Sequence, residues 1–225
     1  MKNRNLYLIA FLLMIGFSAM SQSEKISFGL KGGVNFQNIN GKDANGDKLK
    51  FNMITGFNAG AVVQIPVAPE FYFQSGLLYT TKGAKAPKDF LATGSTRQYD
   101  LSYLELPLNL LYRPLLGKEH LLLGFGPYVA YGLGGKAKLV TPLGTNKQDI
   151  VFTKEYSSVS PYGQYFKRLD FGGNLFFGYE LENGIFVQLN MQLGMAKINA
   201  DNTTYPNDKT SFKNTGFGLS LGYMF

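Results

Sequence analysis

The chain has 225 residues, 27 of them Gly, with 19 Phe, 14 Tyr, one His and neither Cys nor Trp. Without Cys there can be no disulfide scaffold, thiolate metal site, cysteine nucleophile or lipidated cysteine anchor. The formal charge of +7 is dispersed, with no run of Lys or Arg and no helical pattern to carry one, which argues against a nucleic-acid partner.

The chain opens with the pattern of a secretory signal. Lys2 and Arg4 form a charged segment, and Leu6 to Phe17 is apolar but too short to cross a bilayer as a helix. Ala19 and Ser21 then stand three and one residues before an expected cut ahead of Gln22. The predicted division is residues 1–21 as signal peptide and 22–225 as one domain.

From there the sequence alternates with a period of two, the pattern of strands with unlike faces. Ser27–Phe36 sets Phe28, Leu30, Val34 and Phe36 against Gly29, Lys31, Gly33 and Asn35. Asn52–Ile65 sets Phe57, Ala59, Ala61, Val63 and Ile65 against Asn58, Gly60 and Gln64. Phe71–Lys82 sets Phe71, Phe73, Leu77 and Tyr79 against Gln74, Gly76, Thr80 and Lys82. In Gln98–Tyr112 the even-numbered leucines face away from Tyr103, Glu105, Pro107 and Asn109. Leu121–Lys136 opposes Leu121, Leu123, Phe125, Val129, Tyr131 and Leu133 to Gly124, Gly126, Tyr128, Gly132 and Gly134. Arg168–Leu181 opposes Leu169, Phe171, Leu175, Phe177 and Tyr179 to Asp170, Gly172, Asn174 and Glu180. Ile185–Lys197 opposes Ile185, Val187, Leu189, Met191, Leu193 and Met195 to Gln188, Asn190, Gln192 and Gly194. Thr215–Phe225 ends the chain with Phe217, Leu219, Leu221, Tyr223 and Phe225 on one parity and mostly Gly on the other.

Short connections (Pro66–Glu70, Arg113–Glu119, Glu182–Gly184) alternate with long polar ones (Gln37–Phe51, Gly83–Arg97, Ala137–Lys167, Ile198–Asn214). Asn183-Gly184 has the chemistry of a tight hairpin turn. The strand-borne charges away from strand ends, Lys31, Glu105 and Asp170, all share the non-apolar parity, so the apolar parity faces lipid. The expected fold is all-β: an eight-stranded antiparallel up-and-down transmembrane β-barrel with short periplasmic turns and long extracellular loops. Pro107 cannot donate a ladder hydrogen bond, which predicts a bulge or bend there.

The inward parity supplies the candidate site. Lys31, Asn58, Gln74, Glu105, Asn109, Asp170, Asn174, Gln188 and Asn190 form a predicted polar cluster in a lumen narrow enough for side chains to fill. Lys31 and Glu105 both fall near mid-strand and are expected to pair across it, while inward glycines leave room for Tyr103 and Tyr128. No catalytic site, metal or cofactor is expected. The only His, His120, falls in a predicted short turn beside Glu119, with no nucleophile near it in sequence. Asp43-Ala44-Asn45-Gly46-Asp47 begins like a calcium loop, but its Gly has the wrong offset and Ile54 stands where a bidentate Glu belongs, so it reads as a polar turn. Gly124-Phe125-Gly126 starts like a phosphate-binding fingerprint, but no helix follows. The largest loop carries Lys138, Lys147, Lys154 and Lys167 with Tyr156, Tyr162, Tyr165 and Phe166, which places basic groups where lipopolysaccharide phosphates would meet them.

Gly29–Phe36 (GLKGGVNF), Phe73–Lys85 (FQSGLLYTTKGAK), Tyr103–Pro114 (YLELPLNLLYRP), Gly124–Lys138 (GFGPYVAYGLGGKAK) and the ending LSLGYMF resemble the porin-family, PorT-like outer-membrane β-barrel proteins of Bacteroidota. In order and spacing, the resemblance covers nearly all of the chain after the signal. It implies an outer-membrane location and insertion by the barrel-assembly machinery, with the terminal Phe225 as the signal that machinery reads. Tyr223 and Phe225 are also expected in the periplasmic aromatic girdle. The expected function is non-enzymatic, structural or through surface loops, with outer-membrane lipids as partners. A narrow passive channel for ions or small solutes, and a PorT-like accessory of protein secretion, are the alternatives.

Overall fold

The computed structural model describes residues 25–86, 94–157, 164–205 and 207–225. The predicted signal peptide and Tyr162 lie outside them. Eight long strands carry the fold: β1 (Ser27–Lys42), β2 (Ile54–Ala68), β3 (Phe71–Lys85), β4 (Thr96–Tyr112), β5 (Glu119–Thr141), β6 (Leu169–Glu180), β7 (Ile185–Gly194) and β8 (Ser211–Met224). Each pairs antiparallel with its neighbour in sequence, and β8 returns to β1 from Gly29↔Met224 to Lys42↔Ser211. The ring of eight strands therefore closes on itself, each of them paired on both sides. In lipid, where nothing else can bond the backbone, closure is a requirement.

The apolar parity points outward on every strand: Phe28, Leu30, Phe57, Leu77, Phe125, Leu175, Leu189 and Leu221 are among the most exposed large side chains. Exposed apolar surface wrapping the whole ring is intelligible only against lipid. Aromatic pairs mark both edges of this band. At the short-turn end Phe71 stacks on Tyr112 at 4.9 Å, and Tyr223 meets Phe225 edge-on at 5.1 Å. At the long-loop end Phe36 packs on Phe217 at 5.2 Å and Phe57 on Tyr79 at 5.6 Å. Between Phe28 and Phe36 the band covers about 26 Å of strand at roughly 3.3 Å per residue. The tilt of barrel strands reduces this to about 20 Å of height, close to the usual apolar belt.

The short connections are tight. Gly184 adopts φ +85°, its N–H donates to the Leu181 carbonyl at 2.9 Å, and Glu70 accepts φ +63° in the turn from β2 to β3. At the other end the strands run farther than expected. β1 extends from Phe36 to Lys42, and β5 continues to Thr141, where a hairpin returns it along Gly144–Asp149. His120, expected in a turn, instead belongs to β5, where it pairs with Leu115 and Glu180.

Pro107 does not bulge. The β3–β4 register is the same on both sides of it, Ser75↔Leu108 and Leu78↔Glu105, and only the intervening pairs open. Ser75 Oγ donates to the Pro107 carbonyl at 2.9 Å, which spans the gap. The register shift lies on the other side of β4, where Ser102 faces Gly134 and Tyr103 faces Gly132, leaving Leu133 as the extra residue. Above that bulge the inward parity of β5 passes to Gly135 and Ala137. Gly134, expected inward, faces open space.

The seam yields a direct test. Val34 and Leu219 stand opposite each other across β1 and β8, within disulfide reach for directly paired strand residues. Val34→Cys with Leu219→Cys is expected to crosslink under mild oxidation in the folded barrel. Val34→Cys with Leu221→Cys, offset by two pairs, is expected to crosslink far less. Mobility of the reduced and oxidised protein after heating reads the difference.

Candidate functional site

The lumen holds the only fully buried ion cluster among the described residues. Lys82 of β3 bonds Glu105 on the adjacent strand β4 at 2.8 Å and reaches across the ring to Asp170 of β6 at 3.3 Å. All three side chains are at most 3% exposed. The cation also lies 4.1 Å from the ring centre of Tyr128 on β5 and 5.6 Å from that of Tyr103 on β4. Asp170 Oδ2 accepts from the Tyr128 hydroxyl at 3.3 Å and from Asn214 Nδ2 of β8 at 2.9 Å, and Glu105 Oε1 accepts from Gln192 Nε2 of β7 at 2.6 Å. Gly172 makes room for this layer, since a Cβ there would stand 2.9 Å from the Tyr128 ring.

An amide chain ties in the remaining strands. Asn190 Nδ2 donates to Ser220 Oγ at 3.2 Å, Ser220 Oγ to Asn58 Oδ1 at 3.2 Å, Asn58 Nδ2 to Asn35 Oδ1 at 2.6 Å, and Asn35 Nδ2 to Thr80 Oγ1 at 3.0 Å. Between them the two networks touch all eight strands. Lys31 Nζ donates to Gln188 Oε1 at 3.4 Å and, with Glu105, Asn109, Asn174 and Asn190, lines a cavity of about 40 Å³. A space of that size, bordered by amides, holds water rather than a larger solute. In formal charge, Lys31 and Lys82 balance Glu105 and Asp170.

Apolar side chains close both ends. Towards the short turns, Val62, Tyr72, Leu78, Leu111, Leu122, Phe176, Phe186 and Met224 form one buried cluster. Gly124 and Gly222 admit the two phenylalanines: a Cβ on either would lie about 2 Å from a ring. Below them Arg113 bonds both oxygens of Glu180, at 2.7 and 3.2 Å, and donates to the Tyr72 hydroxyl at 3.3 Å. Towards the long loops a second cluster includes Ile39, Phe51, Tyr99, Leu101, Phe166 and Ile198, with Tyr99 edge-on to Phe166 at 5.4 Å and Phe51 to Phe212 at 5.5 Å. The loops above are tied together. Asp201 takes Lys167 and Lys197, each at 2.7 Å, and the Lys167 hydrogen bond, followed by that of Lys197, holds its carboxyl below the usual carboxylate range.

The structure places Asn58, Gln74, Glu105, Asn109, Asp170 and Gln188 in the lumen, buried, with Lys31, Asn174 and Asn190 half-buried beside them. It does not pair Lys31 with Glu105; the partner of Glu105 is Lys82. Gln74 stands in register between Gln64 and Asn109, apart from the ion cluster. Lys82, Asn35, Gln192 and Asn214 complete the network. The signal for Lys82 was its inward parity, masked by its place at the apparent end of a strand that continues to Lys85. In the loops, Lys138 is paired with Asp100 at 2.6 Å and Lys167 with Asp201. Asp43 Oδ1 accepts the backbone N–H groups of Asn45, Gly46 and Asp47 at 2.9, 3.0 and 2.9 Å, a self-contained polar turn. Tyr223 and Phe225 lie on the outer face at the short-turn rim, where the Phe225 N–H donates to the Phe28 carbonyl at 2.7 Å.

Residues 20–200 match the family model described as outer membrane protein beta-barrel domain. No curated protein matches the chain. Among solved structures, Ail, the attachment invasion locus protein of Yersinia pestis, is 10% identical with a TM-score of 0.42, over 90% of this chain and 100% of that one. OprG of Pseudomonas aeruginosa is 14% identical with a TM-score of 0.48, over 88% and 95%. Neisserial surface protein A is 10% identical with a TM-score of 0.44, over 90% and 100%.

Lys82→Met leaves two carboxylates buried without their cation, and is expected to cost about 3–5 kcal/mol in urea unfolding from lipid vesicles. Replacing the set together (Lys82→Met, Glu105→Gln, Asp170→Asn) is expected to recover most of that loss. A triple variant no more stable than Lys82→Met would show that Lys82 acts through packing and not charge.

Proposed function

Because the chain belongs to the outer membrane protein beta-barrel domain family, we propose that it is a non-enzymatic barrel whose interior is a structural plug and whose activity lies on its extracellular surface. The observation that carries this reading is the burial of Lys82, Glu105 and Asp170 in mid-lumen. A conduit for ions would hydrate these groups. Instead they bond one another and the walls, between two apolar clusters. An eight-stranded ring has no spare width, because aqueous porins need about twice as many strands. Export through a signal peptide cut ahead of Gln22 belongs to the same proposal, as does kinship with the PorT-like proteins of Bacteroidota. In planar bilayers the purified barrel is expected to give no steady unitary conductance. Discrete, reproducible openings would overturn the plug and favour the narrow-channel alternative.

Phe225 serves in this reading as the mark recognised at assembly. The residue is 74% exposed and its tie to β1 is through backbone, so the folded barrel depends little on the side chain. Phe225→Ala is accordingly expected to lower the amount of folded barrel in the outer membrane several-fold, while the purified variant refolds in vesicles with unchanged stability. Equal amounts in cells would leave Phe225 with the girdle role alone.

A further inference from the structure

One cleft on the outer wall is strongly basic. Lys42 at the top of β1, Lys48 in the loop that follows, Lys209 just before β8 and Lys213 near its start line a recess of about 640 Å³ together with Ser211 and Asn40. None of the four ammonium groups has a carboxylate partner among the described residues, although Lys138, Lys167 and Lys197 elsewhere on the rim are all paired. The acids nearest in sequence are engaged or lie outside the lining: Asp43 holds its own turn, Asp208 Oδ1 takes the Thr210 N–H at 2.9 Å, and Asp47 does not border the recess. The recess is also built. The Lys209 N–H donates to the Ala44 carbonyl at 3.1 Å, and the Lys209 stem lies against Gly46, which takes φ +96°. Four like charges gathered on tied loops repel one another unless an anion lies among them.

We propose that this cleft binds the phosphate groups of an outer-leaflet glycolipid, the chemistry of lipopolysaccharide. Position decides between a lipid and a soluble anion. Asn40 is opposite Lys213, and Lys42 opposite Ser211, on the outward parity that carries Phe36 and Phe217 lower on the same two strands. Four residues separate Phe217 from Lys213, about 13 Å along the strand and roughly 10 Å in height after tilt. The lysines thus stand just above the last aromatic pair, on the lipid side of the wall and at headgroup depth. Clusters of Lys at that level are how proteins hold anionic lipid. The proposal deepens the surface role argued above and rests on the outer-membrane location.

The test uses the full barrel in nanodiscs, with lipid counted by native mass spectrometry. Wild type is expected to retain lipopolysaccharide, to lose it when the lipid is enzymatically dephosphorylated, and to lose at least about ten-fold in affinity on K42Q/K48Q/K209Q/K213Q. The loop variant K147Q/K154Q is expected to retain lipid as wild type does. Should the quadruple variant fail the heat-modified mobility check for folding, K209Q/K213Q against K209R/K213R carries the same comparison, with Arg retaining the lipid. Undiminished retention by the Gln variants, or of dephosphorylated lipid, overturns the proposal. Complete displacement by inorganic phosphate at equal phosphate concentration overturns the lipid assignment in favour of a soluble anion. Single-channel openings would defeat the plugged-lumen reading and leave these lipid counts unchanged, so the two failures are separable.

Discussion

Lipid hydrocarbon offers no hydrogen-bond partner, and that absence governs the rest of the molecule. Each strand must find both neighbours within the chain, so the first and last strands must meet. The β1–β8 ladder from Gly29↔Met224 to Lys42↔Ser211 meets this requirement. Closure at eight strands then dictates the bore: it is too narrow for a water column and wide enough for side chains. The small inward residues follow from this. Gly124, Gly172 and Gly222 are places where a ring from another strand occupies the volume a side chain would need.

A filled bore that still carries charge raises an energetic problem. An isolated ammonium group in a dry interior is very costly, and it is tolerated only with compensating partners in good geometry. Lys82 has two carboxylates and two aromatic faces; Asp170 in turn has a Tyr hydroxyl and an Asn amide besides Lys82. A wholly apolar core of the same volume could be as stable. What the polar layer adds is direction: each bond requires a particular residue of a particular strand at one depth. We infer that it selects the register of the ring, which outward apolar faces alone specify weakly, because lipid accepts any of them.

The same distinction explains what was legible in the sequence. The outward faces were, because lipid imposes strict alternation on each strand by itself, with no knowledge of its neighbours. The eight strands, their direction and the seam follow from that local pattern together with the alternation of short and long connections. The partner of Glu105 was not legible, because it lies on the neighbouring strand and off the direct register: Glu105 faces Leu78, and Lys82, four residues further along β3, reaches it diagonally. The bulge at Leu133 was hidden for a different reason. Gly132, Gly134 and Gly135 surround it, so no side chain records the change of parity. Above Phe36 the strand continues in polar surroundings, where neither face needs to be apolar and the alternating signal fades although the ladder persists.

The two rims share one wall and differ in charge economy. At the short-turn end Arg113 and Glu180 neutralise each other under an apolar layer, and little extends beyond the membrane. At the long-loop end the strands rise above the apolar band and fold their loops over the mouth, with Phe51, Phe166 and Phe212 packed beneath them. There the acids are largely committed within the fold, Asp100 to Lys138, Asp201 to two lysines, Asp43 to its own turn. A rim that spends its carboxylates internally leaves its surplus cations outward. On β1 and β8 Lys42 and Lys213 stand above the Phe36–Phe217 pair on the same outward parity. The closure that fills the interior with paired groups thus also leaves the unpaired cations of β1 and β8 on the outer wall.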